Sequence, residues 1–268
     1  MKPPPEGTVE RWAWDYVVSC DAAHKLAPPP PPGRWADDGV ARRLEHPGRP
    51  SGLALLEHSP KTPSAAALRS PARRAQLAHT FLHHELQAAE LMAWALLAFP
   101  ETPVAFRRGL LGVLQDELRH MSQYRAYLRA LGHDFGDFPV RDWFWERVPT
   151  APSAVHFVAV LGVGFEGGNL DHTVRFAERL RAAGDEDGAR LQERIGTEEI
   201  AHVRFALRWF ARWRGSADFA GWTAHLPEPL SPMVMRGRPL NLAARRAAGF
   251  SPSFLEALGA WSPDEHRT

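Results

Sequence analysis

Four helix-length stretches, each ended by a proline or a glycine, constrain this chain most. Ser70-Pro71 reads as an N-cap with proline at the first helical position. Apolar residues then recur at helical spacing through Leu77, Phe81, Ala88, Met92 and Leu96, up to a break at Pro100. Thr102-Pro103 repeats the start signal, and the next helix runs to Leu131 with Gly132 as its stop. A third helix spans Pro152 to about Gly184, and a fourth runs from Asp185 to Arg214 with Gly215 as its stop. Residues 132–151 mix Gly, Asp and Pro with five aromatic residues. They are too irregular for a helix and too apolar for a free linker, so they should cross the surface of the bundle. Two antiparallel pairs joined by one long connection predict an all-α, ferritin-like four-helix bundle with one long crossover over residues 70–215. A proline-rich N-terminal arm occupies 1–69, with a five-proline run at 28–32 that cannot enter a helix. A C-terminal arm, 216–268, carries helical stretches at 240–248 and 252–258.

Composition removes several function classes. The 268 residues hold 32 Lys+Arg against 31 Asp+Glu, so no basic excess points to nucleic acid. One cysteine, Cys20, excludes a disulfide framework and a Cys-rich metal site. The longest apolar runs are too short to span a bilayer, and the N-terminus has no signal-peptide core, so a cytoplasmic protein without membrane contact is expected.

The chemistry lies in a repeat of about eighty residues. Glu117-Leu-Arg-His120 and Glu199-Ile-Ala-His202 are both Glu-x-x-His, which puts an oxygen and a nitrogen ligand on one helix face. Thirteen histidines make such pairs unremarkable alone, but each has a glutamate upstream: Glu85 by 32 residues and Glu166 by 33. The first turn is centred near Glu101, sixteen residues from both Glu85 and Glu117, so the two share a height in an antiparallel pair. The second pair fits less well: Glu166 lies four residues farther from its turn than Glu199, an offset of about 6 Å. Glu166 is the only charged residue in 151–170, and a buried carboxylate there needs a cation, a proton or a partner. Four carboxylates and two imidazoles at one level would bind two metal ions, with Glu117 and Glu199 bridging and Glu85 and Glu166 terminal. Asp116 and Glu198, each preceding a ligand glutamate, suit hydrogen bonds to the outer imidazole nitrogens, crosswise to His202 and His120. Tyr124, one turn after His120, and Arg119 are candidates for a part in the chemistry, and Asn169, Asn241 and Arg245 for lining a pocket. Gly162-Val-Gly-Phe-Glu-Gly167 imitates a dinucleotide fingerprint, but no βαβ unit surrounds it. Its glycines suit close helix packing or a π-bulge instead.

With those residues in place, the sequence resembles the ferritin-like diiron proteins. Asp116-Glu117-Leu-Arg119-His120 matches their Asp-Glu-x-Arg-His motif. It is most similar to the bacterial family known as domain of unknown function 455. The similarity lies in HHELQAAEL at 83–91, DELRH at 116–120, LGHDFGDFPVRDW at 131–143, FEGGNLD at 165–171, EEIAHV at 198–203 and NLAARRAAGF at 241–250. The resemblance implies a ferritin-like fold and a dinuclear metal centre. The expected function is a diiron oxidoreductase that uses O2 to oxidise a small-molecule substrate, with an external electron donor. Iron is the expected metal, and manganese or a mixed pair the alternatives. The competing functions are metal handling, as ferroxidase or storage protein, and a helical binding module without metal. The long arms favour a monomer or small homo-oligomer over a storage shell.

Overall fold

The computed structural model describes residues 1–58 and 61–263. Among them the chain is all-α; the one β feature is an isolated parallel bridge between Leu55 and Val140. It divides into two compact units, 1–149 and 150–268.

The first unit is built on a helical hairpin. It contains α1 (Val9–Val18), α2 (Ala22–Leu26), α3 (Pro71–Ala98) and α4 (Val104–Ala130). α3 starts as the proline signal predicts, and almost its whole C-terminal half is buried on every side. A helix apolar all round must be wrapped, and α1 and α4 both pack on it. The start of α4 differs from the Thr102-Pro103 expectation. Pro103 itself takes the cap position, because the Thr102 hydroxyl donates to the Phe99 carbonyl at 2.7 Å and closes the preceding turn. Gly132 ends the hairpin in the left-handed region, with φ +83°.

The N-terminal segment is more ordered than an irregular arm. α1 is amphipathic, capped by the Thr8 side chain accepting from the Arg11 N–H, and buries Trp12, Ala13, Tyr16 and Val17. Its Trp, Tyr and Val content gives low intrinsic helix propensity, so packing on α3 supplies what the local sequence lacks. Residues 28–32 form neither helix nor strand, as prolines require.

A buried charge network fastens this segment and the crossover to α3. Glu90, fully buried, accepts from Lys25 Nζ at 2.6 Å, from Arg49 at 2.6 and 2.8 Å, and from Trp145 Nε1 at 2.9 Å. Asp142 accepts from Arg49 Nε at 3.0 Å and lies 3.0 Å from His83 Nε2. Burial alone would raise the Asp142 carboxyl, but hydrogen bonds with His83 and Arg49 overcome it and bring the pKa down to about 2. The unfolded value is about 3.9, so this stabilisation is complete above that pH and is lost as pH falls through about 2. Its size at neutral pH is at most about 2–3 kcal/mol. Asp142→Asn should therefore be less stable than the parent at pH 6, with the gap closing towards pH 2. Urea unfolding at both pH values measures it, and a gap independent of pH would show that the charge of Asp142 is not what matters.

The second unit contains α5 (Ala154–Phe157), a π-helix (Val158–Phe165), α6 (Glu166–Ala182), α7 (Glu186–Arg214), α8 (Phe219–Thr223), α9 (Leu242–Ala248) and α10 (Pro252–Ala260). The third expected helix is thus continuous but changes its winding: all eight residues preceding Glu166 are π-helical and buried. The Gly-x-Gly-x-x-Gly run lies within this segment and the first turn of α6, where its glycines serve contact. A Cβ on Gly162 would lie 2.3 Å from the Ala206 Cβ on α7. Gly162→Ala should cost about 1–3 kcal/mol through overpacking, and Ala206→Gly in the same chain should recover part of it. Thermal unfolding of the three variants tests the pair; equal losses with and without the second change would remove the contact as the cause. α7 is capped by Asp185 accepting from the Gly188 N–H and ends at Gly215, with φ +83°.

Candidate metal centre

In the first unit, Glu85 on α3 meets Glu117 and His120 on α4. One ligand atom from each lies within 4.8 Å of the others, and all three residues are buried. His120 Nδ1 is 3.3 Å from Glu117 Oε2 and 3.6 Å from Glu85 Oε2. The local reason is the spacing. Glu117 and His120 lie one turn apart on α4, and the tight turn at 99–103 returns the chain so that Glu85 faces them. Burial first, and then the Glu117 carboxylate, push the Glu85 carboxyl well above the usual range. Burial would lower the His120 imidazole, but the two adjacent carboxylates push it up to about 12. The cluster thus strongly favours added positive charge, whether a proton or a cation. Two carboxylates and an imidazole are the oxygen and nitrogen donors that iron and manganese take, so this buried Glu/His cluster could hold a metal ion.

In the second unit, Glu199 and His202 face the interior from α7, with His202 Nδ1 3.3 Å from Glu199 Oε2. Glu166 opens α6, buried, and accepts from Asn169 Nδ2 at 3.2 Å one turn on. Glu166, Glu199 and His202 are all buried.

The remaining candidates are placed as follows. Asp116 accepts from Arg119 NH1 at 2.5 Å on the outer part of α4, and Glu198 is half-buried. Tyr124 is buried, its ring 5.7 Å from that of Phe81. Asn241 caps α9, accepting from the Ala244 N–H, and donates to the Leu170 carbonyl. Arg245 is fully buried and donates to Asp171 through Nε at 3.1 Å and NH2 at 2.7 Å. Asn241 and Arg245 therefore fasten the C-terminal arm to α6. Asp171, which sequence reasoning passed over, is the shared acceptor, also taking the N–H groups of Gly237 and Asn241. Its signal was available, since it is the only acidic residue in the conspicuous segment FEGGNLD besides Glu166.

Residues 17–256 match the family of proteins of unknown function DUF455, and the chain belongs to that family. An uncharacterized protein of Haemophilus influenzae is 26% identical over 189 residues, a match that covers 66% of this chain and 65% of the relative. No solved structure matches. No helix among the described residues is long and apolar enough to cross a membrane.

Proposed function

We propose that the protein is a ferritin-like, dinuclear metal oxidoreductase that uses O2 to oxidise a small-molecule substrate. Glu85, Glu117 and His120 would hold one metal ion, and Glu166, Glu199 and His202 would supply the ligands of a second. The observation that carries this reading is the buried three-residue cluster of the first unit, repeated in the second as a Glu-x-x-His helix with an upstream buried glutamate. A bound metal pair, with iron favoured by the resemblance, would supply one-electron redox chemistry and Lewis acidity. The chain's own part is to present the donors and to exclude water. Leu82, Leu86, Ala88 and Ala89 beside Glu85 on α3 are apolar and buried, which limits the access of bulk solvent to the carboxylates. Glu117 and Glu85 orient the His120 ring through its Nδ1 edge. Asp116 and Glu198 are proposed to hold the outer edges of the two imidazoles.

Metal analysis of protein purified without oxygen tests the proposal. About two ions per chain are expected, with a change in the optical spectrum on O2 addition. Protein that retains no transition metal would overturn it. Sedimentation of the iron-loaded protein separates oxidase from storage protein: a small particle without a mineral core is expected, and a large shell holding many irons per chain would favour storage.

A further inference from the structure

The C-terminal half of α7 combines two features that the metal ligands do not use. One is a row of aromatic rings on the helix that carries Glu199 and His202. Phe205 follows His202 by one turn, and Trp209 and Trp213 continue the row at four-residue steps. Ring centroids are 6.4 Å apart for Phe205–Trp209 and 5.1 Å for Trp209–Trp213. At about 1.5 Å per residue, the row covers roughly 16 Å between His202 and Trp213.

The other feature is an arginine ladder. Arg204, Arg208 and Arg212 repeat at i, i+4 and i+8 on α7, and Arg246 lies on α9, which packs against α7. Arg208, Arg212 and Arg246 are exposed. Arg204 donates to the Ala247 carbonyl at 2.7 and 3.1 Å, and the Arg212 guanidinium lies 5.2 Å from the Trp209 ring. None of the four forms an ion pair among the described residues. The N-terminal part of α7 is different, because Arg190 there pairs with Glu186 and Asp187. Like charges four apart on a helix repel by a few tenths of a kcal/mol per pair, so the ladder is not there for the helix.

We propose that this ladder is the docking surface for an acidic one-electron carrier protein, with the aromatic row leading inward to His202. The inference rests on the oxidoreductase reading, which requires an electron supply. One O2, one substrate C–H, two electrons and two protons give a C–OH and one water. Two reduced carriers each give up one electron and leave oxidised. The size of the surface selects this partner over a polyanion. A protein that grips duplex DNA through roughly 6–10 phosphate contacts uses more cations than the four arginines here. Electron-transfer encounters are small, below about 1,200 Å², and depend on charge complementarity for their rate.

The test uses the full-length protein and a plant-type [2Fe–2S] ferredoxin as the acidic carrier, with polyuridylate RNA as the competing ligand. Association is measured on metal-free protein, so it reads the surface whether or not the cluster proves to be a redox centre. The expected result is a complex with ferredoxin that weakens with salt and weakens at least about ten-fold in Arg208→Glu/Arg212→Glu. Arg190→Glu, at the far end of the same helix, should bind as the parent does. A complex indifferent to the charge reversal, no complex, or RNA binding that the reversal abolishes would overturn the proposal. In metal-loaded protein, Trp213→Leu should slow reduction by ferredoxin several-fold without weakening the complex, and an unchanged rate would remove the aromatic row from the route. Ferredoxin binding by a protein that retains no metal would count against the oxidoreductase reading and not against the docking surface.

Discussion

Glu117→Ala is expected to lose at least one metal ion per chain while the fold survives, and Glu199→Ala to do the same. Both residues are fully buried and each lies 3.3 Å from the histidine one turn away on its own helix. Replacing Glu117 also takes away the charge that, after burial, does most to raise the Glu85 carboxyl. The metal-free variant should therefore unfold at the same or a higher denaturant concentration than the metal-free parent, because burying a carboxylate costs free energy that alanine does not. Elemental analysis together with urea unfolding separates the two effects. Unchanged metal content in both variants would rule these glutamates out as ligands. Loss of metal together with loss of folded protein would mean that they act mainly as structural residues.

The largest loss of stability should come from Glu90→Ala. Its carboxylate is the partner of both Lys25 and Arg49, and the Lys25 side chain is fully buried. Removing one member of a buried ion pair leaves the other charge uncompensated and costs about 3–5 kcal/mol. Burial already lowers the Lys25 amine, so in the variant this lysine should shed its proton to stay buried. Lys25→Met in the Glu90→Ala background should then recover part of the loss, with Arg49 still held by Asp142. Urea unfolding measures all three, and a loss below about 1 kcal/mol for Glu90→Ala would show that solvent reaches the pair.

The helical hairpin of the first unit was legible because its signals are local. Ser70-Pro71 and Gly132 mark ends that depend on backbone geometry alone, and the equal distance of Glu85 and Glu117 from the turn follows from helical rise. What stayed hidden depends on contacts remote in sequence. α1 is stabilised by α3, not by its own propensity. The role of Glu90 was not visible, because its partners Lys25 and Arg49 lie 65 and 41 residues away. Asn241 and Arg245 were legible as special residues but not as fasteners, because Asp171, 70 or more residues earlier, gives them their roles. The π-helical winding before Glu166 was only half visible. The glycines announced close contact, but the backbone pattern is set by what packs on them.

The burial of Lys25 has a practical use. The chain has three lysines, of which Lys2 and Lys61 are exposed and Lys25 is enclosed between α1 and Glu90. An amine-selective reagent should therefore acylate Lys2 and Lys61 quickly and reach Lys25 only when the N-terminal segment lifts away from α3. Mass spectrometry of the Lys25 peptide against labelling time would turn one side chain into a clock for that opening.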